Sequence, residues 1–303
     1  MNQTLGVAPD LTCLKPQGSL QSLTTFRVGG PAEWLAMPRH RRELEDLLAW
    51  AIAADLPITF LGAGSNLLIS DRGIFGLVIC TRRWRSTEFD DSGRVTAAAG
   101  EPLPTLAWKA AKLGCRGLEW AVGIPGTVGG AVVMNAGAHG GCAADVLVST
   151  TVLAPDLTPL RLTPADLQFQ YRTSALQGGR QVVLEATFQL KPGHDPALVV
   201  ADTLAGLNQR RATQPYDRPS CGSVFRNPYP HTAGTLIEKT GLKGYRLGNA
   251  QISERHANFI VNLGGATATD IRRLIHHVQN EVEQNWAVRL RPEVKFMGEF
   301  LDF

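Results

Sequence analysis

One stretch of small residues, Gly123 to Gly141, constrains this chain of 303 residues more than any other, because seven of its nineteen residues are glycines. Glycine loses much conformational entropy on folding, so it is used where the backbone takes a positive φ or closely approaches another group. Exposed N–H groups of such a backbone bind phosphates or lie against flat rings. We therefore expect no ordinary side-chain core here but a bound ligand, first of all a dinucleotide cofactor. Tight turns between strands are the alternative.

A second glycine segment also favours a cofactor. Pro57 to Leu61 has the composition of a short buried strand, and it leads directly into Gly62-Ala63-Gly64-Ser65-Asn66. The Rossmann pattern is missing because Leu67 stands where its third glycine would be, and the chain lacks a G-x-x-x-x-G-K-[ST] loop. Two glycine loops, each after an apolar run, favour one extended ligand bound at both.

The composition excludes several classes of protein. Hydrophobic residues make up 44% of the chain and charged residues 19%, which is enough for a sizeable core in two or three domains. A net charge of +3 with scattered basic residues does not indicate nucleic-acid binding, but it suits an anionic small molecule. We interpret the basic clusters Arg39 to Arg42 and Arg82 to Arg85 as solvated surface. Met1 to Gly18 has no leader-peptide pattern and no apolar run is long enough for a membrane span, so we expect a cytoplasmic protein.

Metal binding and disulfides are not expected. The five cysteines are far apart in the sequence and contain no C-x-x-C pair. The adjacent His276 and His277 lie in a helical pattern, where neighbouring side chains point apart, and no H-E-x-x-H motif occurs.

The hydrophobic periodicity predicts an α+β protein. In the first helix Ile52 is assigned to the apolar face with four other residues, and Thr267 and Thr269 are predicted N-caps of the last helix. The turn-rich segment Lys191 to Pro196 separates an N-terminal cofactor domain from a smaller C-terminal domain. We therefore expect a short extension (1–20), a cofactor domain (21–192, with lobes of about 21–80 and 81–192) and a C-terminal α/β domain (193–303). The predicted helices are Arg41–Ala54, Thr105–Leu113, Ala197–Arg211 and Asp270–Trp286, and the predicted strands are Pro57–Leu61, Ile74–Cys80, Val146–Leu153, Gln181–Leu190 and Asn258–Leu263.

Seven sequence blocks are distinctive: Thr25–Gly30, Leu61–Leu68, Gly123–Gly141, Tyr171–Ser174, Cys221–Pro228, Ala257–Asn262 and Arg291–Lys295. In their order and spacing, from about Ser22 to the end of the chain, they resemble the UDP-N-acetylenolpyruvoylglucosamine reductase family. The direct run from Ala175 to Arg180 into the next strand resembles type II members, which lack a tyrosine-bearing insertion there. Val133 and His139 depart from the aromatic residues common in relatives.

The resemblance implies a fold and a reaction. The fold is an FAD-binding domain of the vanillyl-alcohol-oxidase (PCMH) type, followed by a smaller C-terminal α/β substrate-binding domain. The reaction is the NADPH-dependent reduction, through bound FAD, of UDP-N-acetylglucosamine enolpyruvate to UDP-N-acetylmuramate in peptidoglycan precursor synthesis. The partners are therefore these small molecules, with no nucleic acid, membrane or obligatory protein partner.

Roles for individual residues also follow from the resemblance. Arg172 binds the substrate carboxylate, Ser223 protonates C2, and Glu293 donates a hydrogen bond to the same carboxylate, which requires a raised pKa. Arg210 and Asn227 bind the substrate. The implied flavin contacts are Gly62, Ala63, Gly64, Ser65, Asn66, Leu67, Gly123, Ile124, Pro125, Gly129, Gly130, Asn135 and Gly137.

Plainer alternatives exist for these roles. Ser223 is also a typical turn serine, and Glu293 is a typical partner of Arg291 or Lys295 in a surface ion pair. Cys221 is a rival proton donor, because alternation in an extended segment puts its side chain on the same face as Ser223. For the whole protein, the alternatives are a flavin oxidase or dehydrogenase acting on an alcohol or hydroxy acid, and a catalytically silent nucleotide-sugar sensor.

Overall fold

The structure is a computed structural model that describes residues 11–301. Its contacts divide the chain into two compact units, and both are discontinuous in sequence. Of the described residues, unit 1 contains residues 11–14, Ala36–Ala63 and Ile79–Arg210, and unit 2 contains Lys15–Leu35, Gly64–Val78 and residues 211–301. The predicted division into domains, with a boundary at residue 192, stays a prediction. Residues 1–10 of the predicted extension and residues 302–303 of the predicted C-terminal domain lie outside the described residues.

Unit 1 is built on a five-stranded sheet with helices beside it. With strands numbered along the whole chain, its order is β11 (Pro159–Leu162), β10 (Leu147–Leu153), β12 (Val182–Gln189), β7 (Arg94–Ala98) and β6 (Thr87–Phe89). All neighbouring strands of this sheet are antiparallel. The core of the unit contains Leu106, Val132 and Phe188, all fully buried. The elements are α1 (Arg41–Ala53), β3 (Ile58–Leu61), β6 (Thr87–Phe89), β7 (Arg94–Ala98), α2 (Leu103–Lys112), α3 (Val128–Met134), β8 (Gly137–Ala138), β9 (Gly141–Cys142), α4 (Ala143–Val146), β10 (Leu147–Leu153), β11 (Pro159–Leu162), α5 (Pro164–Leu167), β12 (Val182–Gln189) and α6 (Pro196–Thr213).

Unit 2 combines segments from both ends of the chain. Strand β4 (Leu67–Ile69) pairs in parallel with β16 (Lys295–Met297), with Leu67 opposite Lys295. This pairing explains why a segment from the N-terminal part of the chain belongs to the unit that contains the C-terminal part. A three-stranded antiparallel sheet, β13-β14-β15, lies against the apolar face of α8. The elements are β1 (Leu14–Ser19), β2 (Pro31–Ala36), β4 (Leu67–Ile69), α7 (Ala233–Lys239), β13 (Arg246–Leu247), β14 (Ala250–Ile252), β15 (Ile260–Asn262), α8 (Ala268–Trp286) and β16 (Lys295–Met297).

Strand β5 (Ile74–Cys80) runs from unit 2 into unit 1. It is the neighbour of β3 in a four-stranded sheet with the order β1-β2-β5-β3. The chain therefore leaves β3 and β5 on adjacent positions of one sheet.

The start of α8 shows how the sequence specifies a helix end. Thr267 is the N-cap, and its side chain and that of Asp270 form a reciprocal capping box. Thr269, the other predicted cap, is instead inside the helix, where its N–H donates to Asp71 over 2.9 Å and its hydroxyl over 2.7 Å. The carboxylate of Asp71 also accepts from the N–H of Ala268 over 2.8 Å. An acidic group at a helix N-terminus is stabilising because it satisfies free N–H groups and opposes the positive end of the dipole.

Two expectations about local structure are wrong. Ile52 is 54% exposed, because it lies at the edge of the stripe formed by the buried residues of α1. The stretch Gly123 to Gly141 contains the helix α3, and its Val128 and Val132 belong to the hydrophobic core. Gly141 is needed for the chain's own packing, since a Cβ there would lie 2.6 Å from Trp120. Part of this stretch therefore builds a side-chain core after all.

No described helix is both long enough and apolar enough to cross a membrane. The five cysteines are free thiols. Among the described residues, no three His, Cys, Asp or Glu side chains are grouped so that they would hold a metal ion.

Candidate active site

In chain order, Gly62–Asn66 is the first glycine loop and Gly123–Gly141 is the second. Residues of the two loops lie next to one another in unit 1. Gly62 follows β3 and lies against Thr127, whose Oγ1 would be 2.6 Å from a Cβ at position 62. Thr127 is also the N-cap of α3, where its hydroxyl accepts from the N–H of Gly130 over 3.3 Å. Gly130 is exposed, and a Cβ there would meet only Thr127 within 4 Å. The loops meet at Gly62 and Thr127, as binding of one ligand by both requires.

Backbone donors are available along the first glycine loop. Among the described residues, the N–H groups of Ala63, Gly64, Ser65 and Asn66 donate no hydrogen bond. The carbonyl of Gly64, by contrast, accepts from Thr25 over 3.1 Å. Successive uncommitted N–H groups in a glycine turn suit a phosphate.

Arg82 is a residue that sequence reasoning missed. It is half-buried, and its guanidinium donates to the carbonyls of Gly62 and Ala63. The interpretation of Arg82 to Arg85 as solvated surface is therefore wrong for its first member, although Arg83 and Arg85 are exposed. The signal was non-local, because Arg82 reaches the loop only through the adjacent positions of β3 and β5 in one sheet.

Other predicted flavin contacts already use their polar groups within unit 1. The N–H of Gly129 donates to Ala99 over 2.9 Å. Asn135 ends α3 in the left-handed region at φ 43°, where its Oδ1 accepts from Ala144 over 3.1 Å and its Nδ2 donates to Gln170 over 3.0 Å. The Asn135 side chain thus fixes the turn after α3. The remaining residues of this set lie in the turn before α3 (Gly123, Ile124 and Pro125) and in β8 (Gly137).

Arg172 lies at the tip of a tight turn in unit 1. The backbones of Gln170 and Thr173 exchange two hydrogen bonds of 3.1 Å, which place Tyr171 and Arg172 at the turn. Arg172 has a φ of 57°, in the left-handed region, and its guanidinium lies 5.3 Å from the centroid of the Tyr171 ring. Its carbonyl accepts from Gln177 Nε2 over 2.9 Å. Arginine rarely adopts this backbone conformation, and such strain is concentrated at functional sites.

Ser223 and Glu293 are neighbours through backbone pairing in unit 2. The N–H of Glu293 donates to the carbonyl of Val224, the residue after Ser223, over 2.7 Å. Asn66 donates from Nδ2 to the carbonyl of Glu293 over 3.1 Å, and its own carbonyl accepts from Lys295 over 2.9 Å. The segment that carries Ser223, the segment that carries Glu293 and the first glycine loop are thereby connected within this unit.

A cavity of about 330 Å³ in unit 2 is lined by Ser223 and Asn227. Asn227 is exposed, and its Oδ1 accepts from the N–H of Ala233 over 3.0 Å at the start of α7. Among the described residues its Nδ2 has no acceptor, which leaves a donor for a ligand. Arg210 lies near the end of α6 in unit 1.

The cavity also contains polar side chains that the sequence analysis did not select. Arg255 and His256 belong to the lining, as do Thr235 and Glu238. Burial lowers the pKa of His256, and the nearby positive charge of Lys243 lowers it further, so the ring is neutral at pH 7. Its Nδ1 accepts from the N–H of Asn258 over 3.2 Å, so the ring proton is on Nε2. The block Ala257–Asn262 was noticed in the sequence, but no pattern indicated that the preceding histidine lines a cavity.

The expectation that Cys221 and Ser223 share one face is wrong. Gly222 between them has a φ of 81°, which interrupts the alternation of an extended chain. Cys221 is buried in the hydrophobic core of unit 2, whereas Ser223 is half-buried and lines the cavity. Burial raises the pKa of the Cys221 thiol, and the negative charge of Glu293 raises it further. Cys221 is thus a protonated core thiol.

We expect Cys221 to resist alkylation in the folded protein. Its thiolate is disfavoured by burial, and only the thiolate reacts. Iodoacetamide at pH 8 followed by peptide mass mapping should leave Cys221 unmodified, with Cys142, the one partly exposed cysteine, as the internal control. All five thiols should react once the chain is denatured. Rapid loss of activity together with modification of Cys221 would instead return it to the site.

Comparison with known proteins identifies both parts of the chain. Residues 32–163 match the model of a family described as an FAD-binding domain. Residues 214–297 match the C-terminal domain of UDP-N-acetylenolpyruvoylglucosamine reductase. The curated reductases of that name from Nostoc sp. and Synechocystis sp. are 59% and 56% identical to this chain. The alignments cover 96% and 95% of this chain, and 89% and 92% of the two relatives.

A solved structure agrees with these matches. The crystal structure of the reductase from Thermus caldophilus superposes with a TM-score of 0.77 at 38% sequence identity, covering 92% of this chain and 97% of that one. The predicted fold class is confirmed: an FAD-binding domain of the vanillyl-alcohol-oxidase type with a smaller C-terminal α/β domain. The protein is a flavin-dependent oxidoreductase. The chain belongs to the UDP-N-acetylenolpyruvoylglucosamine reductase family.

The residues present fit FAD. The uncommitted N–H groups of the first glycine loop are the donor type that a pyrophosphate requires. The exposed face of Gly130, close to Thr127, leaves the second loop open to a ligand. Together the two loops provide backbone N–H donors and an open surface for the cofactor. The first glycine loop itself, Gly62–Asn66, contains no charged side chain.

Proposed function

We propose that this protein reduces UDP-N-acetylglucosamine enolpyruvate to UDP-N-acetylmuramate with electrons from NADPH, in peptidoglycan precursor synthesis. One observation carries the proposal: Ser223 lines a cavity in the C-terminal family domain and is adjacent to Val224, whose carbonyl binds the N–H of Glu293. After hydride addition, reduction of an enolpyruvyl double bond needs a proton donor for C2 and a group that stabilises the developing negative charge, and Ser223 and Glu293 are suited to these roles. Family membership supplies the substrate class.

Each polar residue has a distinct role in this proposal. FAD, when bound, would supply the hydride chemistry that connects NADPH with C3 of the enolpyruvyl group. Negative charge then develops over C2 and the carboxylate, and Arg172, with its planar guanidinium, binds that carboxylate through two parallel hydrogen bonds. Glu293, which must be protonated when the substrate carboxylate is bound beside it, donates a further hydrogen bond to that carboxylate. Ser223 delivers a proton to C2, which completes addition of two electrons and two hydrogens across the double bond.

Substrate binding involves residues beyond the reacting atoms. Asn227 offers Nδ2 to the substrate while its Oδ1 is held by Ala233. Arg210 offers a positive charge to an anionic part of the substrate. We also place the reaction in the cytoplasm, since UDP-sugars and NADPH are highly charged and do not cross membranes unaided. Because its product is a precursor of the cell wall, the reaction contributes to cell shape and cell division.

An anaerobic titration tests the proposal as a whole. We expect NADPH to bleach the flavin of the purified protein, and subsequent UDP-N-acetylglucosamine enolpyruvate to restore its colour with formation of one product per flavin. Recovery of colour with a simple alcohol or hydroxy acid, but not with the enolpyruvyl substrate, would favour an oxidase or dehydrogenase of the same fold. Bleaching without recovery would overturn the substrate assignment. If either half-reaction failed although the protein bound the sugar nucleotide, a nucleotide-sugar sensor would be favoured.

A further inference from the structure

Three consecutive side chains in unit 1 bind three consecutive carbonyl groups, that of Leu61 at the end of β3 and those of Gly62 and Ala63 in the first glycine loop. Thr81 Oγ1 donates to Leu61 over 3.4 Å, and Cys80 Sγ donates to Gly62 over 3.8 Å. Arg82 donates from Nε to Gly62 over 3.3 Å and from Nη2 to Ala63. We call residues 80–82 the carbonyl-binding turn. It is positioned by β5, whose last residue is Cys80, beside β3, whose last residue is Leu61.

The members of the carbonyl-binding turn are suited to donate permanently. Cys80 and Thr81 are buried, and burial raises the pKa of the Cys80 thiol, so it keeps its proton. The guanidinium of Arg82 is charged at any physiological pH, and hydrogen bonds from a charged donor are roughly twice as strong as neutral ones. Arg82 is therefore the strongest member of the turn, and the only one that spans two carbonyls.

Binding these carbonyls also fixes the N–H groups of the loop. In a trans peptide the C=O and N–H bonds point in opposite directions. When Arg82 holds the carbonyls of Gly62 and Ala63, the N–H groups of Ala63 and Gly64 point away from the guanidinium. Among the described residues these two N–H groups have no acceptor, and a hydrogen-bonded carbonyl polarises its peptide so that the opposite N–H becomes a better donor. The loop presents two aligned donors because its carbonyls are occupied.

We propose that Arg82 is a positioning residue for FAD, which holds the Gly62 and Ala63 carbonyls so that the N–H groups of Ala63 and Gly64 bind the anionic pyrophosphate of the cofactor. The inference rests on FAD binding by the glycine loop and is independent of the substrate that the enzyme reduces. Arg82 itself does not contact the cofactor in this role. Removing it leaves the glycines in place but frees the two peptide planes to rotate.

The test measures FAD binding to apoprotein variants by quenching of flavin fluorescence. Arg82→Ala should weaken FAD binding by about 10- to 100-fold, the scale of one or two lost hydrogen bonds from a charged group. Arg82→Lys keeps the charge but cannot span both carbonyls in one plane, and it should weaken binding at least about threefold. The matched control is Arg83→Ala, which removes an exposed arginine one residue away and should leave FAD binding within about twofold of wild type.

Further measurements separate positioning from general stability. We expect the Arg82→Lys apoprotein to keep the wild-type Tm while it binds both FAD and ADP, which shares the pyrophosphate, more weakly. Three results would overturn the proposal: wild-type FAD affinity in Arg82→Lys, equal losses in Arg83→Ala, or weakening of FAD alone with ADP binding unchanged. If Arg82→Ala is too unstable to measure, the lysine variant decides. Failure of the substrate assignment would appear separately, in the titration of the wild-type holoenzyme.

Discussion

Replacement of Ser223 by alanine is expected to separate the two half-reactions. The variant should accept electrons from NADPH at nearly the wild-type rate, because that step involves no proton from Ser223. Return of flavin colour on addition of the enolpyruvyl substrate should slow by about 10²–10⁴-fold, the usual contribution of a positioned general acid. Stopped-flow absorbance of the flavin measures both rates on one sample.

Two controls make the Ser223→Ala result specific. Thr235→Ala removes another hydroxyl from the same cavity and should change reoxidation by less than about tenfold, since that hydroxyl is already paired with Thr232 at 2.8 Å. Equilibrium binding of the substrate to oxidised Ser223→Ala should remain within about tenfold of wild type. Wild-type reoxidation in Ser223→Ala would remove the serine from the chemistry and leave it as a turn residue.

Much of the fold follows from local sequence patterns. In α8, Ile271, Leu274, Ile275, Val278 and Val282 recur at three- and four-residue spacing and are all buried, and strand β5 has the predicted bounds. Helix α3 was missed because glycines at positions 129 and 130 are poor helix formers. It forms nevertheless, because Thr127 caps its first turn and its valines are buried in the core. Tertiary packing here outweighs intrinsic propensity.

Less of the site follows from local patterns. Ser223 and Glu293 are about seventy residues apart in sequence. Backbone hydrogen bonds between residues 224–226 and residues 291–294, which no periodicity predicts, bring their segments together. The pairing of β4 with β16, which brings Asn66 to the Glu293 segment, is equally non-local. The resemblance supplied the names of these residues without their contacts. Arg82 was misassigned for the same reason: its function depends on which strand lies beside β5.

Replacement of Arg172 by asparagine is expected to remove substrate binding without destabilising the protein. Arg172 has a φ of 57°, and asparagine tolerates this left-handed conformation better than arginine does. The Tm should therefore stay at the wild-type value or rise, despite loss of the contact with Tyr171. The kcat/KM for the enolpyruvyl substrate should fall by about 10²–10³-fold, which corresponds to about 3–4 kcal/mol for one partner lost from a charged pair.

A fall in kcat/KM without a fall in Tm is what a functional role for Arg172 requires. A residue retained for folding would lose stability and activity together, whereas a strained residue retained for chemistry loses activity alone. Gln168→Asn is the matched control, because Gln168 is also left-handed, at φ 46°, four residues before Arg172 and ends α5. It should share any gain in Tm and keep wild-type kcat/KM. A fall in Tm for Arg172→Asn with unchanged kcat/KM would show that the arginine stabilises its turn and does not bind the substrate carboxylate.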